Sequence, residues 1–436
     1  MLGVKPLEVQ VDPNSSFKAV SNNKILFPNL NGVRFIAALM VIVQHTEEAK
    51  IKIGFPTSYR KDFAPGTLGV SLFFVLSGFL ITYLLQSEKL SSGTISLRDF
   101  YTRRVLRIWP LYYLIIFLGV WVIPNYVPIL LNEFDMVNLS SESTTRLLLD
   151  LFFLPNIAAF LFTPIPFVYQ IWSIGVEEQF YVIWPLLVKY TNNLLKPLIA
   201  VILTLVGFNL LATFIYTSLQ QKAGTSPDLL KILYFGIKFT ALTRIDCMAV
   251  GGVGAWILFN KKQNILNILY SRPVQVATYV SVILFISKGM TFGCLYHFPH
   301  SILFTIILLN LSSNKLSVVN FNNKFFNYMG KISYGIYMFH PIAIAISFRL
   351  VLKEYLPGTQ IDYNNTLHFI TNATLYLLVM CIVTVISTCS YYCFEKYFLA
   401  KKIKFSKILS GDSVDMGDNH LSSVISDISD VRTAKS

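Results

Sequence analysis

Arg34 and His45 are two ionisable residues in an otherwise apolar stretch of the sequence. They are eleven positions apart. In a helix that is about three turns and about 16 Å, so both side chains would lie on one face. Histidine is the side chain best suited to proton transfer near neutral pH. A lone buried histidine is also common as a structural residue, and an arginine near a helix end can extend toward water. Catalytic and structural roles are therefore both open for this pair.

Three arginines, Arg103, Arg104 and Arg107, precede a later apolar segment. Arg104 and Arg107 are three positions apart and would be neighbours on a helix. Guanidinium groups match the geometry of phosphate oxygens, so the cluster could clamp a phosphorylated ligand. The alternative is that the three residues only anchor a helix end at the cytoplasmic membrane surface.

Further ionisable residues lie in the second half of the sequence. Glu177 and Glu178 stand near the start of an apolar segment. They are either solvated carboxylates favoured by the helix dipole or groups that orient a histidine or an acceptor. Arg244 and Asp246 could pair with each other or bind substrate. His340 is followed by a proline that loosens the helix, and packing and active-site roles are equally open for it.

The elements that must position these residues are membrane helices. Of the 436 residues, 54% are hydrophobic and 14% are charged, and the mean hydropathy is +0.57. This composition excludes a soluble globular enzyme, a disordered protein and a fibrous repeat. The net charge is +13. Because the basic residues concentrate in short connections between apolar segments, the charge indicates membrane topology rather than nucleic-acid binding.

The basic residues also test how many apolar segments cross the membrane. The connection after residue 85 and the tail after residue 394 are rich in lysine or arginine, so both are predicted to be cytoplasmic. Two crossings precede the first of them, so the N-terminus is cytoplasmic too and the number of crossings is even. The segment 147–163 is short and is interrupted or bounded by prolines, and we expect it to be re-entrant or to lie at the outer surface. The eleven candidate segments are 30–46, 67–85, 108–131, 147–163, 172–190, 197–217, 236–259, 274–287, 292–311, 333–352 and 369–394.

The sequence therefore predicts an all-α, polytopic integral membrane protein with about ten transmembrane helices and both termini in the cytoplasm. Residues 1–28 would form a cytoplasmic tail, residues 29–398 the transmembrane domain, and residues 399–436 a flexible tail that is first basic and then acidic. The arginines would gather at the cytoplasmic face, and His45 and the carboxylates would lie in the outer half. The five cysteines and six histidines show no metal-ligand spacing, so no metal is expected.

Six motifs together resemble those of the membrane acyltransferase 3 family, the O-acyltransferases that modify O-antigens, exopolysaccharides, peptidoglycan and macrolides. The resemblance covers nearly the whole chain, from about Leu30 to Glu395. The sequence departs from the family at Asn31, where aspartate is frequent. In chain order the motifs are Asn31-Gly32-Val33-Arg34 leading to His45, Phe73-Phe74-Val75-Leu76-Ser77-Gly78-Phe79, Arg103-Arg104-Val105-Leu106-Arg107-Ile108-Trp109-Pro110, Trp172-Ser173-Ile174-Gly175-Val176-Glu177-Glu178-Gln179-Phe180-Tyr181, Arg244-Ile245-Asp246, and Ile332-Ser333-Tyr334-Gly335-Ile336-Tyr337-Met338-Phe339-His340-Pro341.

The resemblance implies ten transmembrane helices and an acyl-CoA donor, usually acetyl-CoA, on the cytoplasmic side. His45 would act on the acceptor hydroxyl as a general base or carry the acyl group transiently. Glu177 or Glu178 would hold its imidazole or steer the acceptor, and Arg34 would bind the donor's arm or a phosphate near the inner end. The expected site comprises the catalytic group His45, Arg34, Glu177 and Glu178, the donor-binding group Arg103, Arg104 and Arg107, and the substrate-binding group Arg244, Asp246 and His340.

The expected partners are acyl-CoA, a carbohydrate acceptor on a surface or exported glycan, and membrane lipid, without nucleic acid. The expected location is the bacterial inner, or cytoplasmic, membrane. A transporter or flippase of a glycan or small molecule is the alternative, because intramembrane charges also occur there. Such a protein would move its substrate without consuming CoA. A family member that only scaffolds glycan-synthesis enzymes is a second alternative, and the intact Arg34–His45 pair argues against it.

Overall fold

The computed structural model of the protein describes residues 24–27, 29–52, 55, 64–130, 141–221, 226–288, 292–295, 297–351 and 365–410. Almost all of these residues are helical. Two short strands, β1 (Lys24–Ile25) and β2 (Leu409–Ser410), pair in parallel. The helices are α1 (Asn29–Lys52), α2 (Pro65–Ser92), α3 (Leu97–Phe117), α4 (Ile123–Tyr126), α5 (Ser141–Leu151), α6 (Pro155–Leu161), α7 (Trp172–Tyr190), α8 (Leu195–Gln220), α9 (Pro227–Thr243), α10 (Ile245–Phe259), α11 (Gln263–Leu269), α12 (Arg272–Lys288), α13 (Phe298–Ser313), α14 (Lys324–Lys331), α15 (Ser333–Val351), α16 (Asn365–Ser390) and α17 (Lys396–Lys402).

Six helical spans among the described residues are long and apolar enough to cross a membrane, or seven if the bent pair α11–α12 forms one span. The predicted number of ten is not confirmed, and neither is the orientation of the termini. α1 and α7 are long enough, with 24 and 19 residues, but their polar residues, which include the site residues, make them less apolar. α12 and α13, with 17 and 16 residues, are shorter than the roughly 20 residues of a typical crossing helix. These four helices overlap predicted crossings, so ten stays a prediction.

The segment 147–163 does not form one continuous helix. α5 ends at Leu151, and Phe153 then adopts a positive φ of 60°. A left-handed backbone at a non-glycine residue interrupts a right-handed helix. α5 and α6 have 11 and 7 residues, and neither is long enough to cross. This agrees with the prediction that the segment does not span the membrane.

Glycines bring α2 close to both α10 and α1 in the centre of the fold. A Cβ atom added at Gly78 would collide with the carbonyl oxygen of Met248 in α10. On the side facing α1, a Cβ atom at Gly69 would lie only 2.6 Å from the carbonyl oxygen of Ala37. Small residues allow membrane helices to pack at such short separations. The helix that carries both Arg34 and His45 is thereby fixed against the most buried part of the bundle.

The two ends of α1 contribute to two different groups of polar residues. The arginine end of the bundle is defined by Arg34, Arg103, Arg104 and Arg107. The histidine end is defined by His45 and His340. Arg34 lies near the start of α1 and His45 lies eleven residues further on, which separates the two ends by about 16 Å along the helix.

Residues that precede and residues that follow the predicted domain 29–398 pack together at the arginine end. β1 and β2 join residues 24–25 to residues 409–410, and α17 packs against α3. Nη1 of Arg103 donates a hydrogen bond to the carbonyl oxygen of Phe405 at 2.6 Å. Residues 1–23 and 411–436 of the predicted tails lie outside the described residues. The domain boundaries stay a prediction, but the packed unit extends past both of them.

Candidate active site

A cavity of about 510 Å³ lies at the arginine end. Among the described residues that line it, six are basic and one, Glu88, is acidic. Positive groups that converge on a cleft raise the local concentration of anions, so the cavity suits a ligand with several negative charges. The basic lining residues are Arg34, Arg103, Arg104, Arg107, Lys331 and Lys402.

A second cavity of about 150 Å³ adjoins the first. Arg34, Arg104 and Arg107 line both cavities and therefore mark their junction. Beyond the junction, the smaller cavity reaches Ser77 in α2 and Tyr337 in α15. The two cavities together lead from the basic surface of the arginine end toward the interior of the bundle.

The arginines predicted to bind the donor differ in their surroundings. The guanidinium of Arg104 lies 5.4 Å from the ring centre of Phe100 and 5.3 Å from that of Tyr181, while its Nε has no hydrogen-bond partner among the described residues. Arg103 instead pairs with Glu88 at 2.8 Å and with the backbone of Phe405. Arg103 thus lines the larger cavity, and its guanidinium also joins Glu88 of α2 to the backbone at Phe405. Donor binding by Arg104, Arg107 and Arg103 stays a prediction.

Arg34 is placed beside the residue at which the sequence departs from the family. Its Nη1 donates a hydrogen bond to Oδ1 of Asn31 at 2.7 Å. A neutral amide oxygen orients the guanidinium. Arg34 also interacts with Glu177 across the smaller cavity, and it lies at the junction of the two cavities.

The structure places Glu177 and Glu178 away from His45. Glu177 lines the smaller cavity and interacts with the hydroxyl of Ser77 and with Arg104. Oε2 of Glu178 accepts a hydrogen bond from the indole of Trp109 at 3.2 Å. Sequence position alone suggested that these carboxylates lie level with the histidine. The contact with His45 comes instead from Tyr169, in the turn that precedes α7.

His45 has a different carboxylate partner, Glu48. Nδ1 of His45 lies 2.8 Å from Oε2 of Glu48. Oε1 of Glu48 accepts a hydrogen bond at 2.7 Å from the amide of Gln44, and the other end of that amide accepts the backbone N–H of Thr67 at 3.0 Å. Because an ionised carboxylate only accepts, Nδ1 of His45 carries a proton, and in the neutral ring the lone pair is on Nε2. Sequence reasoning missed Glu48, although its i, i+3 spacing from His45 was a usable signal.

His340 joins His45 at the histidine end, as a substrate-site role requires. Their rings stack with centroids 5.1 Å apart and planes inclined by 18°, and the ring of Tyr169 lies 5.1 Å from His45. Nδ1 of His340 donates to the carbonyl oxygen of Tyr337 at 2.6 Å, and its buried Nε2 has no hydrogen-bond partner among the described residues. The His340 side chain is fully buried, whereas the His45 side chain is 24% exposed. His45 is therefore the imidazole that a substrate can reach.

Arg244 and Asp246 do not form the ion pair that was one of the two alternatives. Arg244 has a left-handed φ of 46° and separates α9 from α10. Its Nη1 donates at 2.6 Å to the carbonyl oxygen of Thr67 and at 3.2 Å to the hydroxyl of Ser71. Because the N–H of the same Thr67 binds Gln44, Arg244 supports the hydrogen-bond network of His45. Asp246 lies in the first turn of α10, and direct substrate binding by either residue stays a prediction.

No group of three or more histidine, cysteine, aspartate or glutamate side chains in the described part of the chain could hold a metal ion. The polar groups that converge are arginines at one end and a histidine–carboxylate pair at the other. This set of groups can bind phosphates and move a proton.

Comparison with known proteins identifies the family of the chain. Residues 27–392 match a family described as an acyltransferase domain, the acyltransferase 3 family. The chain belongs to this family. The resemblance inferred from the six motifs is thus confirmed, and residues 27–392 form an acyltransferase domain. Its family and its several apolar helices make it an integral membrane protein.

The curated relatives of this acyltransferase are bacterial. The peptidoglycan O-acetyltransferase OatA of Listeria monocytogenes is 26% identical over 333 residues, which are 72% of this chain and 48% of the relative. A Staphylococcus aureus protein named "Putative O-acetyltransferase" is 23% identical over 350 residues, 76% of this chain and 52% of the relative. A Bacillus subtilis protein named "Putative peptidoglycan O-acetyltransferase YrhL" is 31% identical over 215 residues, 46% of this chain and 30% of the relative.

The chain spans about half the length of the first two relatives. No solved structure matches it.

Proposed function

We propose that this acyltransferase moves an acetyl group from acetyl-CoA, bound at the arginine end on the cytoplasmic side, to a hydroxyl of a cell-envelope glycan at the histidine end. The observation that carries the proposal is the placement of a basic cavity and a histidine–carboxylate pair at opposite ends of one helix, α1. The printed names of two relatives make peptidoglycan the acceptor to test first. The bacterial cytoplasmic membrane, with both termini inside the cell, is the location that this direction of transfer requires.

The donor fits the charges and the dimensions of the site. CoA carries a diphosphate and a 3′-phosphate at one end and a thioester on a flexible pantetheine arm at the other. The junction residues Arg34, Arg104 and Arg107 would bind the diphosphate, since guanidinium groups pair well with phosphate oxygens. The arm would follow the smaller cavity past Ser77 toward Tyr337. The distance of about 16 Å from Arg34 to His45 is similar to the length of an extended pantetheine arm.

The reaction would use Nε2 of His45 as the base. Nε2 removes the proton from the acceptor hydroxyl, and the oxygen attacks the carbonyl carbon of the thioester. The C–S bond breaks, the ester forms, and the CoA thiolate takes up the proton from the imidazolium. Glu48 stabilises that imidazolium and fixes the ring through Nδ1. A transient acyl-histidine would use the same Nε2 as nucleophile.

The test compares wild-type protein with His45→Ala in inverted membrane vesicles supplied with radiolabelled acetyl-CoA. We expect label in the peptidoglycan or other glycan fraction, together with release of CoA thiol, only with the wild type. General base catalysis contributes a factor of about 10² to 10⁴, so the variant should fall to background. The affinity for CoA, measured on purified protein, should stay unchanged and serves as the control for folding.

Other outcomes would contradict the proposal. Equal labelling by the two proteins would make His45 structural. Movement of a glycan without release of CoA thiol would favour the transporter. Labelling from right-side-out vesicles with external acetyl-CoA would reverse the proposed direction.

A further inference from the structure

Two lysines of the larger cavity belong to no predicted site. Lys331 ends α14, and Lys402 ends α17. Both line the larger cavity and neither lines the smaller one. They therefore lie on the side of the arginine junction that faces away from Tyr337 and the histidine end.

The last described stretch of the chain also lines the larger cavity and not the smaller one. Ser406, Ile408 and Ser410 line it. The bond from Arg103 to the Phe405 carbonyl and the pairing of β1 with β2 hold this stretch in place. Arg103 also pairs with Glu88. Lys331 and Lys402 are the other two basic residues of the described lining that lie outside the junction.

We propose that Lys331 and Lys402 form a subsite for the 3′-phosphate of CoA. This inference rests on the proposed function, because it takes the direction of the donor from it. With the thioester pointing toward Tyr337 and the diphosphate at the junction arginines, the covalent order of CoA places the phosphorylated ribose in the outer part of the larger cavity. A phosphate there meets two lysines whose flexible stems let the ammonium groups converge on it. The subsite would make the protein select CoA over dephospho-CoA.

The two proposed ligands differ in what positions them. The Lys331 ammonium lies 5.1 Å from the ring centre of Tyr391, which orients its stem. Lys402 depends on the stretch that Arg103 holds at Phe405. Arg103 is thus a positioning residue for this subsite, and it acts through the C-terminal stretch rather than through phosphate contact.

The test measures the dissociation constants of CoA and 3′-dephospho-CoA for the purified full-length protein in detergent by calorimetry. We expect the wild type to bind CoA about tenfold more tightly than dephospho-CoA. Lys402→Gln and Lys331→Gln should each reduce this ratio to about threefold or less, by weakening CoA and leaving dephospho-CoA unchanged. Arg104→Gln should weaken both nucleotides alike and preserve the ratio.

Matched controls lie on the same two helices. Lys401 and Lys324 are exposed and line neither cavity. Lys401→Gln and Lys324→Gln remove the same charge and should keep the wild-type ratio. If they lower it as much as Lys402→Gln does, the effect is one of net charge and the subsite is refuted.

The remaining outcomes separate this inference from the proposed function. A wild-type ratio near one, or an unchanged ratio in both cavity variants, overturns the subsite while leaving the donor intact. Wild-type protein that binds neither nucleotide overturns both proposals. A normal ratio that depends on Lys402, combined with no transfer of label to any glycan, supports the subsite and overturns the acceptor part of the proposed function.

Discussion

The arginine end and the histidine end assemble their polar groups in opposite ways. The basic residues of the arginine end come from segments far apart in sequence, from Arg34 to Lys402, and surround a cavity. At the histidine end, the hydrogen-bonded partners are local, because Glu48 binds both His45 and Gln44 within two turns of α1, while the stacked ring of His340 comes from α15. A bulky anion must be enclosed from several sides, whereas a base needs one fixed proton and one open lone pair. Donor binding and proton transfer are therefore separable functions of this helical bundle.

Two consecutive carboxylates of α1 show the same contrast on a smaller scale. Glu47 is only 7% exposed, pairs with Lys50 and accepts a hydrogen bond from Tyr376 in α16 at 2.5 Å. The Glu48 side chain is 42% exposed and holds His45. Neighbouring residues of a helix point about 100° apart, so one glutamate faces the interior and the other faces the reactive imidazole.

Glu48→Gln is expected to separate the functions of the two ends most strongly, because it should lower kcat alone. This change removes the negative charge that stabilises the imidazolium and lets an amide donor compete for Nδ1. We expect kcat for acetyl transfer to fall about 100-fold, in the range seen when the partner of a catalytic or metal-bound histidine is removed. The affinity for CoA should stay unchanged, because the arginine end is untouched. Initial rates with labelled acetyl-CoA and calorimetry with CoA measure the two quantities.

Glu48→Asp serves as the partial rescue, since it keeps the charge on a shorter stem. Its rate should lie between those of the wild type and Glu48→Gln. A Glu48→Gln rate within about twofold of the wild type would show that the Glu48 carboxylate does not support catalysis by His45. Glu177 and Glu178 would then be the carboxylates to test.

Arg104→Gln should have a smaller effect, and it should weaken donor binding rather than lower kcat. Loss of one charge-assisted contact to phosphate should raise the dissociation constant of CoA about tenfold. At saturating donor, kcat should change by no more than about twofold, since the histidine end keeps its geometry. Arg98→Gln is the matched control, because Arg98 lies on the same helix, is exposed and lines neither cavity. A fall in kcat with unchanged affinity for CoA would show that Arg104 contributes to the chemical step, and the two ends would then not have separate functions.

Glu47→Gln should have the smallest effect on function and a clear effect on stability. It leaves the ammonium of Lys50 buried without its partner charge, which costs about 3 kcal/mol of unfolding free energy. The rate per folded molecule and the affinity for CoA should stay near wild type. Thermal unfolding in detergent, followed beside Glu48→Gln, measures the contrast. Equal loss of activity in the two variants would mean that both glutamates serve the histidine.

The sequence predicted most of the participants because their signals are local. Composition and the apolar segments indicate the membrane helices, and the fixed period of a helix places Arg34 and His45 on one face about 16 Å apart. The prolines near 155–166 indicate that this segment does not cross. The six motifs identify the family. The predicted number of crossings exceeds the number of strongly apolar spans in the described residues, because the helices that carry site residues, α1 and α7, are among the less apolar ones.

Contacts between helices were not predictable in the same way. The register between α7 and α1 cannot be read from the sequence, so the interaction of Glu177 with Arg104 was not predicted. The expected role of Glu177 or Glu178 at the imidazole or the acceptor stays a prediction. Nothing in the spacing of Arg244 and Asp246 shows that Arg244 turns to the backbone of α2 at Thr67. The cavity likewise gains Lys402 only because the chain returns to the arginine end after α16.

The sequence by itself determined that this chain carries a membrane acyltransferase domain with a histidine and an arginine at opposite ends of its first helix. Periodicity and motif identity are properties of a single stretch of chain, and they survive in any packing. Only the tertiary structure decided which carboxylate holds His45 and which cations surround the donor cavity. Those choices depend on the depth and rotation of each helix against its neighbours, and these are set by close contacts such as Gly78 against Met248.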